Sequence, residues 1–239
     1  VFILRTAIWF AVLAIRLVAL VPRSIRLNML AKKGETEKKD AVTKKTVKNI
    51  AVKMSALAGI KVEVAGRENI PEGSVVYCAN HLGMFDPAIM AGYVDQCGFV
   101  MKKELEKVPF LKTWMKHLCS VFVDRDNPRA AVKSIAEATE FLKEGRSMII
   151  FPEGTRGKGG KIGEFKNGAF KMAQKAGVPI VPVAICGTDK VWEAEHKIRP
   201  AAVKIKIMPP VCPKGMEREE FREIGPKIRA MIENAFIYE

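Results

Sequence analysis

The sequence predicts an α/β protein: a mixed, largely parallel sheet flanked by helices and preceded by an N-terminal pair of membrane-associating helices. Three observations carry this prediction. From about residue 59, seven short strand-like runs alternate with helical stretches, the pattern of a sheet whose connections are helices. Hydrophobic residues make up 49% of the 239, enough to bury a sizeable core and to exclude wholesale disorder. The net charge of +14 is unevenly divided: residues 1–58 hold twelve Lys and Arg against Glu35, Glu37 and Asp40, a net of +9, and the rest of the chain carries only +5. The expected division is therefore 1–58 as anchoring helices and 59–239 as the α/β domain.

The opening run VFILRTAIWFAVLAIRLVALVP could span a bilayer by length, at about 1.5 Å per residue. Arg5 and Arg16 interrupt it, and with Arg23 they fall within about 20° of one azimuth on a helix. A spanning helix would hold Arg16 near hydrocarbon at a cost of about 2.5–3.5 kcal/mol. An interfacial or half-inserted helix avoids this cost, turning the stripe to head-groups while Phe2, Trp9 and Phe10 sit deeper. A cleaved signal fits badly, because Arg16 breaks the apolar region and no small-x-small site follows. Residues 35–58 form a second helix, with Val42, Val47, Ile50, Met54 and Leu57 at spacings of three to five and lysines between. By itself such a helix either packs its stripe on the domain or lies on anionic lipid. Beside the first helix, the membrane reading is preferred. It makes anionic membrane lipid, not nucleic acid, the partner of the basic quarter, and no nucleic-acid motif or aromatic-basic interleaving is found.

In the domain, strands are expected at Lys61–Val64, Ser74–Cys78, Gly98–Lys102, Val121–Asp124, Ser147–Phe151, Ile180–Ile185 and Val203–Met208. Helices are expected near Pro87–Val94, Leu105–Leu118, Arg129–Lys143, Lys166–Ala176 and Glu217–Phe236. The five cysteines (Cys78, Cys97, Cys119, Cys186, Cys212) are odd in number, scattered and without a C-x-x-C pair, so they read as small core residues of a reduced compartment. There is no G-x-S-x-G elbow, P-loop, G-x-G-x-x-G or H-E-x-x-H motif, which removes the main support for serine-hydrolase, nucleotide-binding and zinc-protease chemistry.

Ligands of such sheets bind outside the carboxyl ends of the strands, so the residues after each strand are the informative ones. After the second run comes Ala79-Asn80-His81-Leu82-Gly83-Met84-Phe85-Asp86-Pro87. His81 suits a general base near neutral pH, and a carboxylate within reach would fix its tautomer. Asp86 is that carboxylate, with Gly83 between them letting the chain fold back. Asp86-Pro87 is equally a cap pair opening a helix, and the two roles are compatible. After the fifth run comes Pro152-Glu153-Gly154-Thr155-Arg156, then the glycine-rich GKGGKIGEFKNG. Arg156 suits a phosphate or carboxylate, and Glu153 is placed to orient Arg156 or a substrate hydroxyl; the plainer alternative is a turn with a solvated arginine. Lys102 and Lys103 end the third strand and Arg125 the fourth, so four basic residues at one sheet edge would make an anion pocket.

Asn80-His81-x4-Asp86, Lys102-Lys103-Glu104-Leu105 through Pro109 to Phe122-Val123-Asp124-Arg125, Phe151–Arg156 and Val178–Val183 resemble, in order and spacing, blocks of the glycerolipid acyltransferases. The nearest likeness is to the 1-acyl-sn-glycerol-3-phosphate acyltransferases. The four blocks cover about residues 75–190. One departure is Leu111-Lys112, near where the family commonly carries a glycine. The resemblance implies that His81, oriented by Asp86, deprotonates the free sn-2 hydroxyl of lysophosphatidic acid as it attacks an acyl thioester, giving phosphatidic acid without an acyl-enzyme. It further implies that Arg156 and Lys102 or Lys103, with Arg125, hold the acceptor's phosphate in a loop that includes Gly154 and Thr155, while Glu153 helps place the acceptor. No cofactor or metal is implied; the co-substrate is a thioester of coenzyme A or of acyl carrier protein. The expected location is the cell membrane, monotopic or single-pass, with the site on the cytoplasmic side. Glycerol-3-phosphate or another lysolipid as acceptor, or a non-catalytic lipid-binding protein of the same fold, are the alternatives.

Overall fold

The computed structural model describes residues 2–108, 110–157 and 159–237. Helices α1 (Phe2–Ala19) and α2 (Val21–Lys32) form one bent helix, followed by α3 (Thr36–Leu57). The strands are β1 (Ile60–Ala65), β2 (Val76–Ala79), β3 (Gly98–Lys102), β4 (Val121–Val123), β5 (Met148–Ile150), β6 (Ile180–Cys186) and β7 (Ala201–Ile207). Between and after them lie α4 (Asp86–Tyr93), α5 (Leu111–His117), α6 (Pro128–Lys143), α7 (Lys171–Ala176), α8 (Arg218–Arg222) and α9 (Ile224–Ile237). All seven expected strands are present, in one sheet of order β1-β7-β6-β2-β5-β3-β4. The run β6-β2-β5-β3-β4 is parallel throughout; β7 is antiparallel to β6, and β1 is parallel to β7. The sheet is mixed and largely parallel.

Burial follows position in the sheet. Every residue of β2 and β5 is buried, as for strands covered on both faces, whereas β7 alternates, with Lys204 and Lys206 exposed between Val203, Ile205 and Ile207. Alternate strand residues feed two cores. Tyr77, Ala79, Ile149 and Val183 pack with α3, α4 and Trp9 of α1, and Val76, Cys78, Met148 and Ile150 pack with α6, α7 and α9. The sheet therefore lies between an α1/α3/α4 layer and an α6/α7/α9 layer.

Three stretches expected as single helices are shortened or broken, the last of them, Glu217–Phe236, into α8 and α9 at Glu223. The stretch Leu105–Leu118 is split into a 3-10 turn (Lys103–Lys107) and α5. The cause is local: Val108 precedes a proline, which disfavours helical backbone before it, and it adopts φ −74°, ψ 118°. The stretch Lys166–Ala176 likewise begins as a 3-10 turn (Asn167–Phe170) before α7.

The amino-terminal helices are arranged differently from the expectation. Trp9 faces the domain. It is buried in the first core, its ring 5.3 Å from that of Phe85 and its Nε1 donating to Met54 O at 2.9 Å. Arg5 donates to Ala58 O at 3.3 Å, and Thr6 Oγ1 accepts from Ile198 N at 2.8 Å, so the face holding these residues is turned to the protein. The outward face is wholly apolar: Ile3, Leu4, Ala7, Ile8, Phe10, Ala11, Ala14, Ile15, Val18 and Ala19 are exposed. The stripe of α3 is also committed to packing, with Ala51 and Met54 buried in the core and Val47 and Ile50 against it. Its close approach to α4 rests on Gly92, where a Cβ would come 3.3 Å from Ala51 Cβ. Leu20 and Leu27 join Trp114 of α5 in a third, smaller cluster.

Candidate active site

The carboxyl ends of β2, β5, β3 and β4 are consecutive in the sheet and carry every residue singled out above. Just past β2, Asn80 is buried and makes a reciprocal pair with Ile185 of β6: its Nδ2 donates to Ile185 O (2.9 Å) and its Oδ1 accepts from Ile185 N (2.8 Å). This side-chain rung extends the strand pairing by one step and fixes where the chain turns into His81.

His81 is held from four directions. Its Nδ1 lies 2.7 Å from Asp86 Oδ2, its backbone N donates to Glu153 Oε1 at 2.7 Å, and its carbonyl accepts from Gly157 N at 2.7 Å. Its ring stacks on Phe151, with centroids 4.4 Å apart and planes at 27°. Among the described residues no protein group bonds to Nε2, and the side chain keeps some exposure. Asp86 is fully buried, and the same Oδ2 accepts from Leu82 N (2.7 Å) and Gly83 N (2.8 Å). Asp86-Pro87 opens α4 as its first two residues, but the carboxylate forms no cap bond and turns back to His81. Gly83 is required for that reversal: a Cβ there would lie 2.7 Å from Thr188 O. Gly83→Ala is expected to cost about 1–3 kcal/mol by overpacking, read as a lowered melting temperature together with reduced turnover.

Glu153 differs from its expected role. It is buried and faces inward, Oε1 taken by His81 N and Oε2 by Gly163 N at 2.7 Å. Burial pushes its carboxyl above the ordinary range, and the two backbone donors pull against that. Glu153 therefore couples the His81 turn to the glycine-rich loop and does not touch Arg156. The partner of Arg156 is Glu193, whose Oε1 accepts from the arginine at 2.8 Å and from Met84 N at 2.7 Å. Glu193 lies outside the four motif blocks. The signal that could have found it is its place in the segment after β6, another carboxyl strand end.

Arg125 donates to Gly154 O, and Gly154 has φ 77° with the guanidinium packed where a Cβ would stand. Thr155 and Arg156 are exposed. Lys102 pairs with Glu104 (3.0 Å) and Lys103 with Asp124 (2.8 Å), and that bond holds the Lys103 ammonium above its usual range. At a strand spacing of about 4.8 Å, the end of β3 stands roughly 10 Å from that of β2, and the end of β4 roughly 14 Å. The structure thus brings His81, Asp86, Glu153 and Gly154 into one cluster with Arg156 on its loop. Lys102, Lys103 and Arg125 form a basic flank along the same edge. Beside the cluster, on the α6/α7 side, opens a cleft of about 410 Å³ lined by Phe151, Pro152, Gly154 and Arg125, among others.

A buried carboxylate holding a histidine at the carboxyl edge of a doubly covered α/β sheet, with cations along that edge, is an arrangement suited to proton transfer beside an anion. Residues 61–186 match the sequence model of the family described as Acyltransferase, more than half of the chain, and the chain belongs to that family. It is 42% identical over 136 residues to a 1-acyl-sn-glycerol-3-phosphate acyltransferase of Borreliella burgdorferi, covering 56% of this chain and 54% of that one. It is 32% identical over 178 residues to the protein of the same name from Pseudomonas aeruginosa, covering 74% of this chain and 69% of the relative. The chain thus aligns with little more than half the length of the first of these relatives. Over the whole fold it resembles the crystal structure of the 1-acyl-sn-glycerophosphate acyltransferase PlsC from Thermotoga maritima. The TM-score is 0.83 and the identity 30%, covering 98% of this chain and 95% of that one.

Proposed function

We propose that the protein transfers a fatty acyl group from an acyl thioester to the sn-2 hydroxyl of lysophosphatidic acid, giving phosphatidic acid. The observation that carries this reading is the 2.7 Å His81–Asp86 pair at the sheet edge, on a buried oxygen that two backbone N–H groups also hold. Asp86 accepts a hydrogen bond from Nδ1–H and so leaves Nε2 as the base. Nε2 takes the hydroxyl proton as that oxygen attacks the thioester carbonyl. A C–O bond forms, the C–S bond breaks, and the imidazolium returns the proton to the departing thiolate. Asp86 stabilises the imidazolium meanwhile. The direct, single-displacement route is supported by the surroundings of His81: among the described residues no serine or cysteine side chain bonds to it. Burial also pushes the Cys78 thiol upward, away from a nucleophilic thiolate.

Arg156, with Lys102, Lys103 and Arg125, supplies charge for the acceptor's phosphate. The ion pairs these cations make are exposed ones, worth about 0–1 kcal/mol, so a phosphate can displace Glu193, Glu104 or Asp124 at little cost. Gly154 and Thr155 shape the loop that carries Arg156, and Glu153 acts from beneath by fixing that loop against His81. The test compares lysophosphatidate, glycerol-3-phosphate and lysophosphatidylcholine as acceptors with purified protein. Fastest turnover of lysophosphatidate supports the reading. Preference for glycerol-3-phosphate would move the acceptor, and no transfer to any of the three would refute the activity.

The membrane association proposed here rests on the outward apolar face of α1. The bent helix Phe2–Lys32 is long and apolar enough to cross a bilayer. An interfacial, monotopic placement fits better, because Trp9, Val12 and Leu13 bind α1 along its length to the domain. Five free cysteines agree with a site on the cytoplasmic side. Ile15 is 67% exposed at the centre of that face. Ile15→Asp is expected to weaken pelleting with anionic vesicles by up to about 3 kcal/mol, roughly a hundredfold, with an unchanged melting temperature. Undiminished pelleting would remove α1 as the anchor.

A further inference from the structure

The cleft beside the His81 cluster has a character the acceptor alone does not account for. Its floor is apolar, formed by Val100 and Val123 from the strands, Ile135 from α6, and Ile150 and Phe151 at the end of β5. Its rim is basic: Arg125, Lys166, Lys171 and Lys175. Lys171 and Lys175 are four residues apart on α7 and so share one face. Among the described residues no acidic side chain lines the cleft, and none of the three lysines has an ion-pair partner. At about 410 Å³ it falls within the range of small-molecule sites, about 300–1,000 Å³.

Two relations give the cleft its meaning. The first is proximity, since Phe151 lines it and also stacks on His81 at 4.4 Å between centroids. Anything seated there ends beside the base. The second is sidedness. Val100, Val123, Ile135 and Ile150 belong to the core under α6, α7 and α9, whereas α1 with its exposed apolar face belongs to the other layer. A lipid acceptor arriving along α1 meets His81 from one side of the sheet, and the cleft opens on the other, away from the membrane-seeking face.

We propose that this cleft receives the phosphopantetheine arm of the acyl-thioester donor. The proposal rests on the acyl-transfer reading above and assigns the donor's place within it. The pantetheine chain lies against Val100, Val123, Ile135 and Phe151, and its phosphate meets Lys166, Lys171 and Lys175 at the rim. The thiolate released when the C–S bond breaks takes the proton back from His81 and leaves along the aqueous side as the free thiol. Coenzyme A and acyl carrier protein share this arm, so the cleft is selective for the arm and leaves the choice of carrier to surfaces beyond it.

The test uses full-length protein in detergent micelles, with coenzyme A as the probe in titration calorimetry. Lys171→Glu/Lys175→Glu and Val132→Trp alter the rim of the cleft. Val132 is 65% exposed on α6 and lines it, so a larger side chain there obstructs the cleft without disturbing the core. The control, Lys61→Glu/Lys206→Glu, makes the same charge change on exposed residues of β1 and β7 at the opposite end of the sheet. Expected are a Kd for coenzyme A raised tenfold or more by both cleft variants, competition by free 4′-phosphopantetheine, and no change in the control. In turnover, the donor KM rises at least tenfold while the lysophosphatidate KM stays within twofold. Parallel assays with acyl-coenzyme A and acyl carrier protein identify the carrier. Unchanged coenzyme A binding overturns the proposal, as does competition by adenosine 3′,5′-bisphosphate but not by phosphopantetheine, or altered acyl-chain preference with unaltered coenzyme A affinity. A wild type that binds coenzyme A in the cleft yet transfers no acyl group would refute the acyl-transfer reading and leave the cleft assignment standing.

Discussion

Replacing His81 with alanine is expected to lower kcat by 10²–10⁴-fold, the usual contribution of a positioned general base, with little effect on the melting temperature or on vesicle binding. The partition follows from what the side chain does in the fold. Its ring is partly exposed, bonds Asp86 and stacks on Phe151. The bonds that tie residue 81 into the structure, to Glu153 and from Gly157, are made by its backbone and survive the substitution. At about 1.4 kcal/mol per factor of ten, the loss corresponds to roughly 3–5 kcal/mol of barrier. The measurement is steady-state kinetics with lysophosphatidate and an acyl thioester, paired with thermal melts of both proteins. Turnover within tenfold of wild type would exclude His81 as the base, and a melting temperature lowered by many degrees would reassign it to structure. Partial rescue by added imidazole in His81→Ala is a further expectation, since a small base can enter the space left by the ring.

The strands were legible because each is a run of apolar and β-branched residues bounded by polar or turn-forming ones, and their carboxyl ends named the site before any contact was known. His81 and Asp86 were legible for a local reason: five residues with a glycine between can fold back on themselves without help from elsewhere. The orientation of α1 was not. Its azimuthal pattern says that Arg5 and Arg16 share a face, but on a helix that is oily all round it does not say which side meets protein. The indole of Trp9 resolves it, because its N–H finds a buried carbonyl at Met54, forty-five residues away. The inward role of Glu153, and Glu193 altogether, were hidden by the same kind of distance. Both look like ordinary loop carboxylates, and only tertiary contact makes one the inward anchor of the His81 turn and the other the partner of Arg156. The basic excess resolves similarly. Lys44, Lys45, Lys48 and Lys53 are the solvent face of a helix packed on the domain, and the apolar contribution to membrane binding passes to α1.

Asp86→Asn and Asp86→Ala are expected to separate catalysis from folding. The Oδ2 of Asp86 accepts from His81 Nδ1, Leu82 N and Gly83 N, all at 2.7–2.8 Å in a fully buried position. An asparagine oxygen in the place of Oδ2 can keep the two backbone donors and still face Nδ1, but it is neutral, and the amide nitrogen takes the buried place of Oδ1. The imidazole then loses the negative charge that stabilises its protonated form and favours the Nδ1–H tautomer. The expected result is a fall in kcat of about 10⁴-fold, as when the carboxylate of a histidine–carboxylate pair is replaced isosterically, with a modest fall in stability. Alanine removes the acceptor altogether and leaves two buried backbone N–H groups unpaired, at about 1–3 kcal/mol each. That variant is expected to lose several kcal/mol of stability in chemical denaturation as well as its activity. If Asp86 were only the opening residue of α4, asparagine would serve as well as aspartate, and Asp86→Asn would retain near wild-type turnover. The ratio of the two losses therefore decides the role: a large kinetic loss with a small stability loss in the asparagine variant assigns the carboxylate to His81.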